Sequence, residues 1–137
     1  MMVHSAKHVY REIGYAKTQR NNHAITESIF LMLFGSLFRG NLFANKCIDR
    51  GEKTLEFSLE DQFFYDGTYI QNSFTYQRFA LQSLVLAYEM LQNGKLKEKI
   101  RTVFKNNLVF LFNITFGKEG DFPNYGPNEV PCYLIGA

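Results

Sequence analysis

The sequence predicts an all-α fold, and three observations carry that prediction. Apolar residues recur at helical spacing in five segments of roughly 15 to 20 residues. Short connections rich in Asn, Ser and Gly, the residues that start and stop helices, separate these segments. No stretch reads as a convincing strand with two-residue alternation. A chain of 137 residues is one domain or part of one, long enough to bury roughly two-thirds of its unfolded surface. Fourteen Phe and eight Tyr, without Trp, supply large apolar areas for that core.

The first helix is expected from Val3 to about Thr18, with Val9, Tyr10, Ile13 and either Ala16 or Tyr15 on its inner face. His4 and His8 have the spacing of a two-His metal site, but no third ligand accompanies them, so they read as part of a solvated face and no metal is expected. The second helix runs from about Asn22 to Phe38 and stops at Arg39-Gly40. It is apolar nearly all round and should be buried on several sides. The third, about Leu42 to Gln62, carries Leu42, Phe43, Cys47, Ile48, Leu55, Phe57 and Leu59 with mixed charges between them, with Gly51 a candidate kink or break. An aromatic loop from Phe63 to Gln71 turns at Asp66-Gly67 and suits either a ring-binding groove or packing on the core. Asn72-Ser73 caps a helix to about Gln92 whose face is Phe74, Leu81, Leu84, Val85, Tyr88 and Leu91. The fifth helix, about Leu96 to Phe116, presents Ile100, Phe104, Leu108, Leu111 and Phe112 and stops at Gly117, after which the tail is expected to be irregular. Several helices are apolar on more than one face, which predicts further structure beside them.

Charge and targeting features narrow the function. The net charge of +2 arises from 15 basic and 13 acidic residues interspersed along the chain, so no basic face for nucleic acid stands out. The N-terminus has no apolar core of a signal peptide, and residues 29–38 are too short and too interrupted to span a bilayer. Cys47 and Cys132 are far apart without metal-ligand neighbours and are expected as two unpaired thiols.

The candidate chemistry lies in Asn21-Asn22-His23, directly before the most apolar helix, with Glu27 one turn further on, where its carboxylate could hold the imidazole. An Asn at that place is an ordinary helix cap. Tyr76 occupies the first turn of a second helix, with Arg78 nearby in sequence. A free tyrosine titrates near 10, and a helix N-terminus favours its anion by only about 0.3 to 1 kcal/mol. If both helix starts face one groove, an amide, an imidazole and a phenol converge there with free backbone donors. Such a place suits the carboxylate of an acidic sugar.

Residues 21–27, Asn-Asn-His-Ala-Ile-Thr-Glu, resemble the NNHxxxE segment of the heparinase II/III-like polysaccharide lyases. Residues 66–78, which run from Asp66-Gly67-Thr68-Tyr69 to Tyr76-Gln77-Arg78, are similar to that family's DGS-Y-x-x-x-S-x-x-Y-H-R segment. Pro123-Asn124-Tyr125-Gly126-Pro127-Asn128 resembles its PNYGxNDG turn. The resemblance implies helical hairpins forming part of an incomplete (α/α) toroid over residues 1–137, with the family's C-terminal β-sandwich absent. It also implies β-elimination on uronate-containing polysaccharide, needing no cofactor. Asn22 is the implied carboxylate neutraliser, His23 its partner at the carboxylate or base side, and Tyr76 the acid and, for some substrate stereochemistries, the base, while Asn21, Glu27, Arg78 and Tyr69 support the site or bind substrate.

The chain departs from the family pattern in having Gln77 after the tyrosine, where His is common, and Glu129-Val130 after Asn128. It is therefore expected to be a piece of a lyase, inactive alone, whose missing toroid and β-sandwich regions would be its partners. Its compartment stays open, periplasmic or exported if it derives from a full-length lyase. The alternatives are a noncatalytic acidic-sugar-binding or helical interaction module, and a plain helical protein in which Asn22 and Ser73 are caps and Tyr76 is packing.

Overall fold

The computed structural model describes residues 1–116, 121, 123 and 125–127. Five helices follow one another: α1 Met2–Thr18, α2 Asn22–Leu37, α3 Leu42–Gln62, α4 Phe74–Met90 and α5 Lys95–Ile114. The fold is all-α, as the periodicity predicts, and only two isolated bridges, Phe63 with Tyr69 and Phe116 with Asp121, have β geometry among the described residues. The Gly117 stop and most of the tail lie outside the described residues. No described helix is long and apolar enough to cross a membrane.

Three helices begin by the same local rule. Asn21, Asn41 and Ser73 are extended residues whose side chains accept from a backbone N–H of the first turn, that of His23, Phe43 and Tyr76 respectively. Such a cap satisfies donors that the helix itself leaves free.

Helix α2 is the centre of the packing, touching α1, α3 and α4. Its residues Ile25, Ile29 and Met32 join one core with Leu55, Leu59, Leu81, Leu84, Ile100 and Leu111. From the same helix Leu31 and Phe34 face a second core with Ala6, Ile13, Ala44 and Cys47. Two buried sides explain why the helix is apolar nearly all round. Each such aliphatic side chain contributes about 1.5 to 3 kcal/mol.

Helix α3 runs unbroken through Gly51, the candidate kink or break. A Cβ there would lie 2.7 Å from the Ser28 carbonyl oxygen and 2.8 Å from Met32 Cγ. Gly35 of α2 meets α3 in the same way, its Cβ position overlapping Ile48 Cγ1 and lying 2.6 Å from the Ala44 carbonyl oxygen. The glycines therefore set a close approach of two antiparallel helices.

On α1, Ala16 is buried and Tyr15 exposed, which settles the alternative left by the spacing. Val85, expected on a buried face, is exposed, and so are the apolar residues Leu42 and Phe57 of α3 and Leu108 and Phe112 of α5, the last 79% exposed. On α5 the reason is Asn107, fully buried and bonded to Gln77, which takes an inward position that hydrophobicity alone assigns elsewhere. With Asn107 inward, Leu108 and Phe112 turn to the outer face.

Candidate functional site

The turn into α2 is held by a charged fork. Arg20 has positive φ (48°) and its guanidinium grips Asp61 near the end of α3, with Nε to Oδ2 and Nη2 to Oδ1 both at 3.0 Å. Asn21 then takes the extended backbone a cap requires, and its Oδ1 accepts from the His23 N–H at 3.0 Å. Asn22 is already helical and does not cap, which corrects the plain helical reading of it. Its N–H donates to Gln71 Oε1 at 3.0 Å, and its carbonyl accepts from Thr26 Oγ1 at 3.2 Å. Among the described residues, neither the Asn22 side-chain amide nor the exposed imidazole of His23 has a hydrogen-bond partner.

Gln71 joins this start to the aromatic loop. Its Oε1 lies 3.1 Å from the Tyr69 hydroxyl, which also lies 2.9 Å from Gln62 Oε1. Tyr69 is 3% exposed, its ring 4.8 Å from that of Phe63. Burial pushes its hydroxyl well above the usual tyrosine range, so it remains a neutral donor. Its ring packs in the core and reaches the helix start only through Gln71. Phe64 and Tyr65 form the exposed part of the same loop.

The start of α4 follows two residues after Gln71. Ser73 Oγ accepts from the Tyr76 N–H at 3.3 Å and donates to the Pro127 carbonyl at 2.7 Å. The Phe74 N–H donates to the Tyr125 carbonyl at 3.3 Å, and the two rings are 5.5 Å apart. Gly126 has φ of +81°, and a Cβ there would overlap the Asn72 carbonyl oxygen and lie 2.8 Å from Ser73 Cα. Only glycine fits so close to the helix start. Asn124 and Asn128 of the same segment lie outside the described residues.

Tyr76 stands in the first turn of α4, half-buried against the main core, and its hydroxyl makes no hydrogen bond to a described residue. Arg78, two residues on, projects from a different side of the helix. Gln77 points inward, 2% exposed, and donates from Nε2 to the Gly67 carbonyl and to Asn107 Oδ1, each at 2.7 Å. That position holds the Asp66-Gly67 turn against α5. A Cβ on Gly67, whose φ is +85°, would overlap the Asn106 carbonyl oxygen of the same helix.

No hydrogen bond or ion pair joins Glu27 to His23 among the described residues, although their charges act on each other. Glu27 Oε2 is buried without a hydrogen-bond partner. Desolvation raises its carboxyl above the usual range, with the charges of His23 and His8 pulling the other way. Among the described residues no group of three or more His, Cys, Asp or Glu could hold a metal.

The structure therefore ties the α2 start, the loop carrying Tyr69 and the α4 start into one continuous set of contacts. The glutamines that make the connection, Gln62 and Gln71, have no distinguishing pattern in sequence. Gln71 lies inside a recognised segment, which was the one available hint.

A family model described as heparinase II/III N-terminus matches residues 2–131. Comparison with curated proteins and with solved structures gives no match.

Proposed function

Since the chain belongs to the heparinase II/III N-terminus family, we propose that it carries part of a polysaccharide lyase site acting by β-elimination on uronate-containing polymers. In that reaction the C5 proton of the uronate leaves to a base, the C4–O bond breaks, and a C4–C5 double bond forms. Asn22 donates its amide hydrogens to the uronate carboxylate with His23 beside it, so that charge building on the carboxylate during proton loss is stabilised. Tyr76 gives its proton to the departing glycosidic oxygen. Asn21 and Tyr69 act as supports, the first by capping the helix that bears Asn22 and the second through Gln71. Arg78 and Glu27 have supporting places on the flanking helix surfaces.

The observation that carries this reading is the Gln71 bridge. Its Oε1 accepts from the Asn22 N–H, and Gln71 itself lies two residues before Ser73, the cap of the helix that bears Tyr76. The test is incubation of the purified chain with heparan-, alginate- and hyaluronan-type polymers, following the ultraviolet absorbance of 4,5-unsaturated uronate. Turnover that falls by about 10² or more in Asn22→Ala and Tyr76→Phe supports these residue roles and overturns the expectation that the chain is inactive alone. Turnover that neither substitution changes refutes it.

The inward orientation of Gln77 favours a second reading, binding of acidic oligosaccharide without turnover, because this position offers no imidazole to the site. Saturable binding lost in Asn22→Ala, with no absorbance change, selects it. A chain that neither binds nor cleaves any of these polymers refutes both.

A further inference from the structure

A cleft of about 400 Å³ runs between α1 and α3, lined by Tyr10, Ile13, Gly14 and Lys17 on one side and by Lys46, Asp49, Arg50, Lys53 and Thr54 on the other. Both sets follow helical spacing, so each is a single stripe facing the other helix. Four cationic side chains share this space with one carboxylate. The cleft thus concentrates more positive charge than the whole chain carries in sum, +2.

None of these four cations is in an ion pair among the described residues; the pairs present there involve Arg20, Lys99 and Arg101. Lys46, Arg50 and Lys53 repel one another along the same face of α3. Arg50 lies over the Tyr10 ring at 4.8 Å, which orients its guanidinium, and its Nε is buried with no hydrogen-bond partner. Arg50 as a whole is half-buried, but this one donor lacks an acceptor, and a ligand oxygen would supply it.

Gly14 adds an independent observation. It sits inside α1 with nothing within 4 Å of a Cβ built on it, so no neighbour in the fold requires glycine there. Glycine weakens a helix interior, and here it leaves this part of the cleft wall without a side chain.

We propose that this cleft binds a tetrahedral oxyanion group, a sulfate or phosphate ester, with Arg50 as the directional donor and Lys17, Lys46 and Lys53 as surrounding charges. Arginine offers several fixed donors suited to such oxygens, and lysine acts as a point charge. The site is separate from Asn22 and Tyr76, and the proposal stands whether or not the chain has lyase activity.

The test is titration of the purified chain at low ionic strength with inorganic sulfate, inorganic phosphate and a sulfated oligosaccharide, reading the backbone amide NMR signals of the residues lining the cleft and, in chains that keep Arg50, its Nε–H signal. A saturable shift is expected with at least one probe. Affinity for it should fall at least tenfold in Arg50→Gln/Lys53→Gln and in Gly14→Phe, and should not change in Asn22→Ala. Gly14→Phe fills the cleft without removing a charge, and a melting temperature no lower than that of the parent shows that lost binding is not lost folding. Tighter binding of the oligosaccharide than of either ion assigns an extended sulfated ligand, and tighter binding of phosphate assigns a phosphorylated one. No saturable shift with any probe, or affinity unchanged in both cleft variants, overturns the proposal.

Discussion

Substituting alanine for glycine at two helix-interior positions should change stability in opposite directions. In a helix, alanine is favoured over glycine by about 1 kcal/mol. At Gly14 a Cβ meets nothing within 4 Å, so Gly14→Ala should keep most of that gain. At Gly51 the added carbon lies 2.7 Å from the Ser28 carbonyl oxygen, 2.8 Å from Met32 Cγ and 3.2 Å from Met32 N. The methionine side chain can move aside, but the backbone of α2 cannot without separating the helices by about half an ångström. Overpacking of this kind costs about 1 to 3 kcal/mol, which exceeds the propensity gain. Gly51→Ala should therefore lose about 1 to 2 kcal/mol while Gly14→Ala gains about 0.5 to 1. For a chain of this length 1 kcal/mol corresponds to about 3 °C in melting temperature. Urea unfolding followed by circular dichroism reads both effects as midpoint shifts at constant slope. Gly35→Ala should also destabilise, and the pair Gly35→Ala/Gly51→Ala should lose less than the sum, because one separation of α2 from α3 relieves both overlaps. A Gly51→Ala variant at least as stable as the parent would refute the close-approach argument.

Three further outcomes follow from the site geometry. Asn21→Ala should lose about 1 kcal/mol by removing a cap, whereas Asn22→Ala should change stability by less than about 0.5 kcal/mol, both read from thermal melts. Gln77→His should destabilise by about 1 to 3 kcal/mol, because one imidazole nitrogen cannot donate to both Gly67 and Asn107, and denaturant unfolding measures it. Glu27→Gln should stabilise the fold near pH 7 and lose that advantage as the pH falls. The folded carboxyl binds its proton more tightly than the unfolded one, so the parent loses stability as pH rises from the ordinary carboxylate range through the raised folded value, and the penalty is constant above it. Solvent screening of a partly exposed carboxyl keeps the gain near 0.5 kcal/mol, measurable by comparing urea midpoints at pH 7 and pH 4.

Helix number and order were legible in the sequence because the apolar period marks every helix and capping residues agree with it at the starts of α2, α3 and α4. Boundaries were recovered within about two residues, as frayed helix ends allow. Which face of a helix turns inward was less legible. On α5, Phe112 and Leu108 look like core residues by hydrophobicity, yet a buried Asn107 bonded to Gln77 sets the rotation, and that bond joins residues far apart in the chain. Gly51 was misread for a related reason. Glycine inside a helical pattern looks like a weakness, and only the position of Ser28 and Met32 on another helix shows that it is a fit. At the candidate site, the segments were recognisable and the caps at Asn21 and Ser73 follow from local rules. The links through Gln62, Gln71 and Pro127 depend on how distant segments meet, and no local pattern encodes them.

The double asparagine before α2 is best understood as a division of labour. One residue would suffice to cap a helix, and Asn21 does so with its side chain in the extended conformation that capping needs. Asn22 then has its backbone fully engaged, the N–H by Gln71 and the carbonyl by Thr26, while its side-chain amide is left free of protein partners among the described residues. Fixing the backbone and sparing the side chain is the arrangement expected of a group that must meet a ligand in one orientation. Tyr76 has the same character on α4: its N–H is held by the Ser73 cap and its ring by the core, with the hydroxyl unused. Capping therefore accounts for Asn21 and Ser73 and core packing for the Tyr76 ring, which leaves the Asn22 amide and the Tyr76 hydroxyl without a role in stability. A polymer carboxylate and a glycosidic oxygen would give those two side chains the partners that the described fold does not.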